Sequence, residues 1–453
     1  MRKGVLFITA IVLILAGAYW YKTYSKATKQ INCNDCNIVL IVIDPLRSDG
    51  LQILGNPRET TPTLDALANS GFLFTNAMAV SSWTLPSAMS LVTGTYPSIH
   101  KIINKELIGK TQKEGLIPAN LKTASPQITT LASILKSRGY ATGGFTGGAA
   151  LDTSSGFDEG FDTYVSSGDF VGLPTVMPKA LDFVRANVDK KLFLFLHGFD
   201  THGQFVPESG YDRRFVDKKY NGKLTGSAEE QKALREQGVL EGRIYLTDDD
   251  VQFLHAIYDE KVARLDRLIG QFLDSYRGLN MSRKTLFIIT SDHGEEFYEH
   301  GRIDHGMTLY DEVLHVPLII VMPGVDARGR IADQVRNIDI MPTILSLVGI
   351  QPTNELRAQM TGTSLVPFMK GAHERLDIFP ETQYRYATFQ KAIRRWDGWK
   401  LIVDEDTTIK RLFDTTHDPY EQDDKDSSVS DIEDELFMSL IQHDNLLNND
   451  TSK

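Results

Sequence analysis

Hydroxyl, carboxylate and imidazole side chains stand where buried stretches of this chain end. Asp44 closes the apolar run 37–43, and Asp292-His293-Gly294 closes the run 286–290. His197, Asp200 and His202 follow the run 192–196. Thr84 lies in Ser81-Ser82-Trp83-Thr84-Leu85-Pro86-Ser87, ahead of a helix expected to begin near Pro86. A hydroxyl there sits among free backbone N–H groups, which favour developing negative charge. Singly, each residue has an ordinary explanation. A threonine before a helix is most often an N-cap, an aspartate at a strand end a turn residue, a histidine a satisfied hydrogen-bonder. Together at one sheet edge, they can hold a divalent cation and set an activated hydroxyl in line with an anionic ester.

That convergence needs a particular scaffold. The runs 37–43, 192–196, 286–290 and 318–322 are apolar without alternation, as strands covered by helices on both faces are. Helical patterns lie between them. Thr61 reads as a cap with Pro62 at the first position, 131–137 is stopped by Gly139, and 339–348 by Gly349. Alternating strands and helices predict a doubly wound, mostly parallel α/β sheet, which binds ligands outside the carboxyl ends of its strands. After about residue 370 the pattern changes. The stretches 384–393, 399–403 and 409–413 read as short antiparallel strands, and the acidic runs 421–426 and 431–435 as a solvated face. The expected organisation is an N-terminal segment 1–20, a spacer 21–36, a catalytic domain 37–370 and an α+β subdomain 371–445.

The formal net charge of −11 argues against a nucleic-acid partner, which needs a basic surface. It does not exclude an anionic substrate, because a bound cation can dominate the local field. Met1-Arg2-Lys3 and the apolar stretch 5–20 read as a membrane anchor, or, through Ala16-Gly17-Ala18, as a cleaved signal peptide. Either way the remainder is expected outside the cytoplasm. The two cysteines, Cys33 and Cys36, read as a local disulfide in an oxidising compartment.

Several of these stretches resemble one family. Asn37 through Asp44, with Leu46-Arg47-Ser48-Asp49, is similar to the opening strand of sulfatases in the alkaline phosphatase superfamily. Ser82-Trp83-Thr84-Leu85-Pro86-Ser87-Ala88, leading to Thr93-Gly94-Thr95-Tyr96-Pro97, resembles the nucleophile motif. Ser291-Asp292-His293-Gly294-Glu295-Glu296, then His300-Gly301, His305-Gly306 and Leu309-Tyr310-Asp311-Glu312, resembles the second metal segment. Leu412-Phe413-Asp414 with Asp418-Pro419-Tyr420-Glu421 resembles the closing strand.

The resemblance implies an alkaline-phosphatase-like fold. It implies one divalent metal ion (Mn, Zn or Ca) held by Asp44, Thr84, Asp292 and His293, with Thr84 as nucleophile. His202 would contact the transferred group, His305 would act on the leaving group, and Tyr140 and Thr142 would lie near the substrate. Three departures stand out. Sulfatases proper carry Cys or Ser, oxidised to formylglycine, where this chain has Thr84, and Arg where it has Ala88. Pro45 follows Asp44 where many relatives keep a second acidic residue. Gly143 to Gly148 replaces a Gly-Lys-Trp-His segment.

A formylglycine hydrate expels sulfate by re-forming its aldehyde, and a sulfated threonine has no such exit. A phosphorylated threonine can be released by attack on phosphorus with a histidine base. The expected function is therefore a metal-dependent hydrolase or transferase of phosphate or sulfate esters, phosphoester chemistry favoured. The alternatives are a sulfuric ester hydrolase, or a pseudoenzyme that binds an anionic glycan or lipid headgroup. The substrate is expected to be an anionic ester on a glycan, lipid headgroup or small molecule. The insertions 104–127 and 210–250 are expected to set specificity.

Overall fold

A strand buried on both sides must alternate its side chains between two cores, and β1 (Asn37–Ile43) does so. Ile38, Leu40 and Val42 join one apolar cluster, and Val39, Ile41 and Ile43 join another on the opposite face. The first cluster takes its helical share from Thr84–Thr93, Leu131–Ser137 and Ile340–Leu347. The second takes its share from Pro62–Ser70, Leu173–Arg185 and Asp248–Arg277. This computed structural model describes residues 31–103, 128–148, 151–168, 170–203, 211, 213–241, 244–281, 283–325, 327–384, 388–425 and 429–450. The expected anchor or signal segment and the insertion 104–127 lie outside the described residues. Among the described residues, no helix is long and apolar enough to cross a membrane.

Along the chain the strands that follow are β2 (Phe72–Met78), β3 (Ala141–Thr146), β4 (Thr163–Ser166), β5 (Leu192–Gly198) and β6 (Thr285–Ser291). After the short pair β7 (Glu296–Phe297) and β8 (Ile303–Asp304) come β9 (His315–Val321), β10 (Gly329–Ile331) and β11 (Val335–Arg336). The main sheet runs β10-β2-β9-β6-β1-β5-β3-β4, with β11 also paired to β2. Its pairings are parallel except that β9 is antiparallel to both β2 and β6. The run 318–322 thus points against the other apolar runs. The cause is the connection: after β6 the chain stays at the carboxyl edge through 292–314 and re-enters the sheet from that edge. A parallel return needs a crossover to the opposite edge.

β12 (Glu381–Tyr384), β13 (Thr388–Arg394), β14 (Trp399–Asp404) and β15 (Lys410–Asp414) form an antiparallel sheet in chain order. Ala392, Ile402 and Phe413 pack one of its faces on Val80, Tyr96, Leu314 and Val316. Ile393, Leu401 and Leu412 meet Leu436 and Leu440 of the helix Ser430–Asp450 on the other. The acidic run 431–435 is therefore the outer part of a packed helix and not merely a solvated face. Cys33 and Cys36 are joined by a disulfide, their Cα atoms 5.4 Å apart. Thr61 Oγ1 donates to Asp65 Oδ1 and caps nothing. The free N–H groups of Thr63 and Leu64 are taken instead by the Asp266 carboxylate at 2.9 and 2.8 Å.

Candidate active site

β1 and β6 are neighbours with Ile43 opposite Ser291, so Asp44 and Asp292 leave the sheet side by side. Ser291 Oγ ties the two exits together. It lies 2.5 Å from Ile43 O and 2.6 Å from His293 O, and accepts from Leu46 N–H at 2.8 Å. Arg47 fixes the next turn: its Nη1 donates to Glu295 O at 2.9 Å, and its guanidinium pairs with Asp49 and Glu299.

Thr84 is the first residue of its helix, and Trp83 occupies the cap position without a side-chain cap bond. The Thr84 hydroxyl donates to Asp44 Oδ2 at 2.8 Å and lies 3.4 Å from His293 Nε2. It is directed at the carboxylates and not at its own helix, which removes the N-cap explanation. Ser87 Oγ, one turn on, donates to Asp292 O at 2.5 Å and accepts from Asn337 Nδ2 at 2.9 Å. The helix start is thereby held against the end of β6.

His293 Nδ1 donates to Gly294 O at 2.8 Å. A carbonyl only accepts, so Nδ1 carries the proton and the Nε2 lone pair faces inward, 3.5 Å from Asp44 Oδ1. Donor atoms of Asp44, Asp292 and His293 lie within 4.8 Å of one another. Burial, with the Asp292 charge beside it, pushes the Asp44 carboxyl up to about 7. Burial pushes Asp292 up to about 8. Burial and the nearby His305 hold the His293 imidazole well below its ordinary value, in the neutral form that binds metals. Asp44 Oδ1 makes no hydrogen bond among the described residues. Two buried carboxylates, an unmatched oxygen and an inward lone pair fit a divalent cation.

His305 adjoins this cluster, its ring centroid 4.4 Å from that of His293 and 5.0 Å from that of His202. Its Nδ1 lies 2.9 Å from Asp304 Oδ1 and 3.1 Å from Glu295 Oε1. Burial opposes its charge, but these two carboxylates hold the imidazole well above its ordinary value. Arg235, on the helix Ala228–Glu241, grips the other oxygen of Asp304 at 2.6 Å.

The structure thus brings together Asp44, Thr84, Asp292, His293, His202 and His305. It does not bring Tyr140 or Thr142. Ala141 pairs with Leu192, the first residue of β5, so Tyr140 and Thr142 sit at the amino edge of β3. About 20 Å of strand separates Tyr140 from the carboxyl edge. Thr142 Oγ1 donates to Gly160 O at 2.8 Å, and the Lys191 ammonium lies 4.9 Å above the Tyr140 ring. The structure thus places both apart from the Asp44–Asp292–His293 cluster. Asp200 is structural: its Oδ2 accepts from Leu173 N–H at 2.7 Å, at the start of a helix. His197 was noted at a strand end but not assigned to the site. Its Nε2 is 3.5 Å from Asp292 Oδ2 and 3.8 Å from Asp44 Oδ2, and burial pushes its imidazole down to about 4. Its place at the end of an apolar run was the available signal. Asp304 and Arg235 gave none beyond being charged, and Glu295 none beyond its place in the stretch that resembles the second metal segment.

The family model described as Sulfatase matches residues 36–350, and the model N-sulphoglucosamine sulphohydrolase, C-terminal, matches residues 298–445. Arylsulfatase K of Rattus norvegicus is 30% identical over 186 residues, which are 39% of this chain and 32% of that protein. The match therefore spans about a third of the relative's length. A solved structure in complex with its substrate D-glucosamine-2-N,6-O-disulfate has a TM-score of 0.69 at 18% identity, covering 92% of this chain and 98% of that one. The phosphonate monoester hydrolase of Agrobacterium radiobacter has a TM-score of 0.68 at 19% identity, covering 92% and 95%. At such identities the likeness is one of fold.

Proposed function

Because the chain belongs to the sulfatase family, we propose that it is a metal-dependent ester hydrolase in which Thr84 is the nucleophile and phosphorus the favoured centre. One observation carries this reading: the Thr84 hydroxyl, at a helix start, donates to Asp44 beside a second buried carboxylate and a neutral histidine. Family members use a divalent metal. Asp44, Thr84, Asp292 and His293 would hold it here, where it would supply positive charge against the ester and the attacking oxygen. A mixed oxygen and nitrogen donor set suits Mn²⁺ or Zn²⁺ better than Ca²⁺.

In the proposed sequence Asp44 Oδ2 holds the Thr84 hydroxyl proton while Oγ1 forms a bond to phosphorus. The bond from phosphorus to the leaving oxygen breaks as that oxygen takes a proton from His305 Nε2. Nδ1 makes the hydrogen bonds that the His305 ring has among the described residues, which leaves Nε2 for the substrate. Water then attacks the phosphothreonine, the neutral His305 takes its proton, and the bond from phosphorus to Thr84 Oγ1 breaks as Oγ1 takes its proton back from Asp44 Oδ2. His202, beside His305, would contact the transferred group. The disulfide fits a catalytic part working outside the cytoplasm.

A second reading, sulfuric ester hydrolysis, is favoured by the similarity to Arylsulfatase K. Aryl phosphate, phosphodiester, phosphonate and sulfate esters, assayed with Mn²⁺, Zn²⁺ or Ca²⁺, separate the two. The expected result is turnover of a phosphorus ester and a phosphate adduct on the Thr84 peptide of enzyme quenched during the reaction. Thr84→Ala should abolish turnover while costing roughly 1.5–3 kcal/mol of stability, the size of a lost hydrogen bond to a charged group. Thr84→Ser should keep partial activity. Full activity in Thr84→Ala would sink the covalent mechanism.

A further inference from the structure

Apart from Asp44, Asp292 and His293, another set of metal-ligating side chains meets on the segment that carries His305. Donor atoms of Glu296 on β7, His300 in the turn to β8 and Glu312 in the helix Asp311–Leu314 lie within 4.8 Å of one another. The backbone fixes two of them: Glu295 N–H donates to Glu312 O at 3.0 Å and Gly294 N–H to Val313 O at 2.9 Å. Tyr310 stacks on the His300 ring, their centroids 3.4 Å apart. His300 Nε2 faces Glu421 O at 3.0 Å, and a carbonyl only accepts, so Nε2 carries a proton. Nδ1, 2.6 Å from Glu312 Oε1, is the nitrogen turned to the cluster. Glu296 is 2% exposed, and its two oxygens differ. Oε2 accepts from Thr308 Oγ1 at 3.2 Å, whereas Oε1 is buried without a hydrogen-bond partner among the described residues.

We propose that Glu296, His300 and Glu312 hold a second divalent cation, Zn²⁺ or Mn²⁺, which closes the loop bearing His305. The orphan Oε1 and the charge balance carry the inference. In the metal-free protein His300 holds a proton on Nδ1 against Glu312, and that pair is neutral. Glu296 then adds a buried negative charge with one oxygen unmatched, which is costly. Arg302 lies near enough to ease that charge, but its guanidinium bonds Gly238 O at 3.5 Å and fills no lone pair of Glu296. A divalent cation in place of the Nδ1 proton brings two carboxylates and a neutral imidazole to zero net charge, and it takes up the orphan oxygen. One nitrogen and two carboxylate donors suit Zn²⁺ or Mn²⁺. The bond from Nε2–H to a carbonyl is the outer contact that metal-bound histidines keep. Two cavities of about 300 Å³ reach the cluster and give an ion a path in, one at His300 and Thr308, the other at Glu299 and Glu312. His305 lies between ligands 300 and 312 in the chain, so the ion would fix the loop that presents it. The set shares no residue with the first metal cluster, and the inference stands whether or not Thr84 is the nucleophile.

The test is metal analysis of the full chain after dialysis against Zn²⁺, with thermal melts in parallel. The parent should retain two equivalents. The double variant Asp44→Asn/Asp292→Asn disables the first cluster and should retain one. Glu296→Gln in that background should weaken the remaining site at least about tenfold, the scale of a disturbed metal shell. Zn²⁺ added to the chelated double variant should raise its melting temperature, and Glu296→Gln should remove the rise. Glutamine keeps the shape of the carboxyl, so the chelated Glu296→Gln protein should melt no lower than its parent. No zinc in the double variant, or a zinc response unchanged by Glu296→Gln, overturns the second site and leaves Glu296 a neutral, protonated acid. One equivalent in the parent that the double variant keeps would uphold the second site and remove the first.

Discussion

Asp44 and Asp292 are both fully buried, and each carboxyl is harder to ionise than an ordinary aspartate. Such a pair works against the fold unless a cation joins it, as sites built for chemistry often do. Asp292→Asn keeps the shape and removes one of the two like charges. In the presence of a chelator this variant should melt at a higher temperature than the parent, while turnover with metal falls by orders of magnitude. Thermal melts and rates on the same preparations check both. A variant that melts lower without metal would show that the Asp292 charge is already compensated within the protein. These residues were legible in the sequence because each ends a buried run, where a polar residue has no packing role. His197 was noted at the end of its apolar run but given no role, because the family resemblance assigned none to it. Tyr140 and Thr142 were misplaced for the converse reason. A short motif does not say which end of a strand it occupies, and only the pairing of Ala141 with Leu192 does.

At the scale of elements, 292–314 does most of the positioning, because it stays at the carboxyl edge between β6 and β9. Its brace is His300. Nδ1 lies 2.6 Å from Glu312 Oε1 and Nε2 lies 3.0 Å from Glu421 O, so both nitrogens face acceptors and the ring is an imidazolium. Burial opposes that charge, but the Glu312 carboxylate outweighs it and holds His300 up to about 9, against 6.5 unfolded. A raised folded-state value means stability that is full below pH 6.5 and is lost as pH rises through about 9. The shift corresponds to roughly 3 kcal/mol. His300→Gln should therefore be clearly less stable at pH 6 and should converge on the parent near pH 9.5. Urea unfolding across that range checks it, and parallel curves would remove the brace. Four strands of the main sheet, β1, β5, β6 and β9, were legible as apolar runs. The direction of β9 was not, because run composition carries no polarity. The helix Ser430–Asp450 was hidden by its acidic first turn, although Leu436 and Leu440 stand at the spacing of one helical face.

The sequence pattern changes near residue 370, yet the two parts share material on both sides of that change. Ile378, Ala392, Ile402 and Phe413 pack with Met78, Tyr96 and Val316 in one apolar cluster. Lys400, fully buried, lies 2.8 Å from Asp311 and 2.7 Å from Glu421, and Asp311 also takes Arg394 at 3.2 Å. Separating the parts would expose that cluster face and leave Asp311 without its cations. A segment whose removal strands buried charge is not expected to unfold by itself. The chain should accordingly unfold in one calorimetric transition, with the subdomain 371–445 and the catalytic part melting together. Lys400→Met should lower that single transition by the equivalent of ~3–5 kcal/mol, because the buried Glu421 loses its cation and Asp311 keeps only Arg394. The isolated fragment 371–453 should show no cooperative melt, since half of its core belongs to the other part. Two resolved transitions in the parent, or a fragment that folds alone, would place a true domain boundary at the composition change.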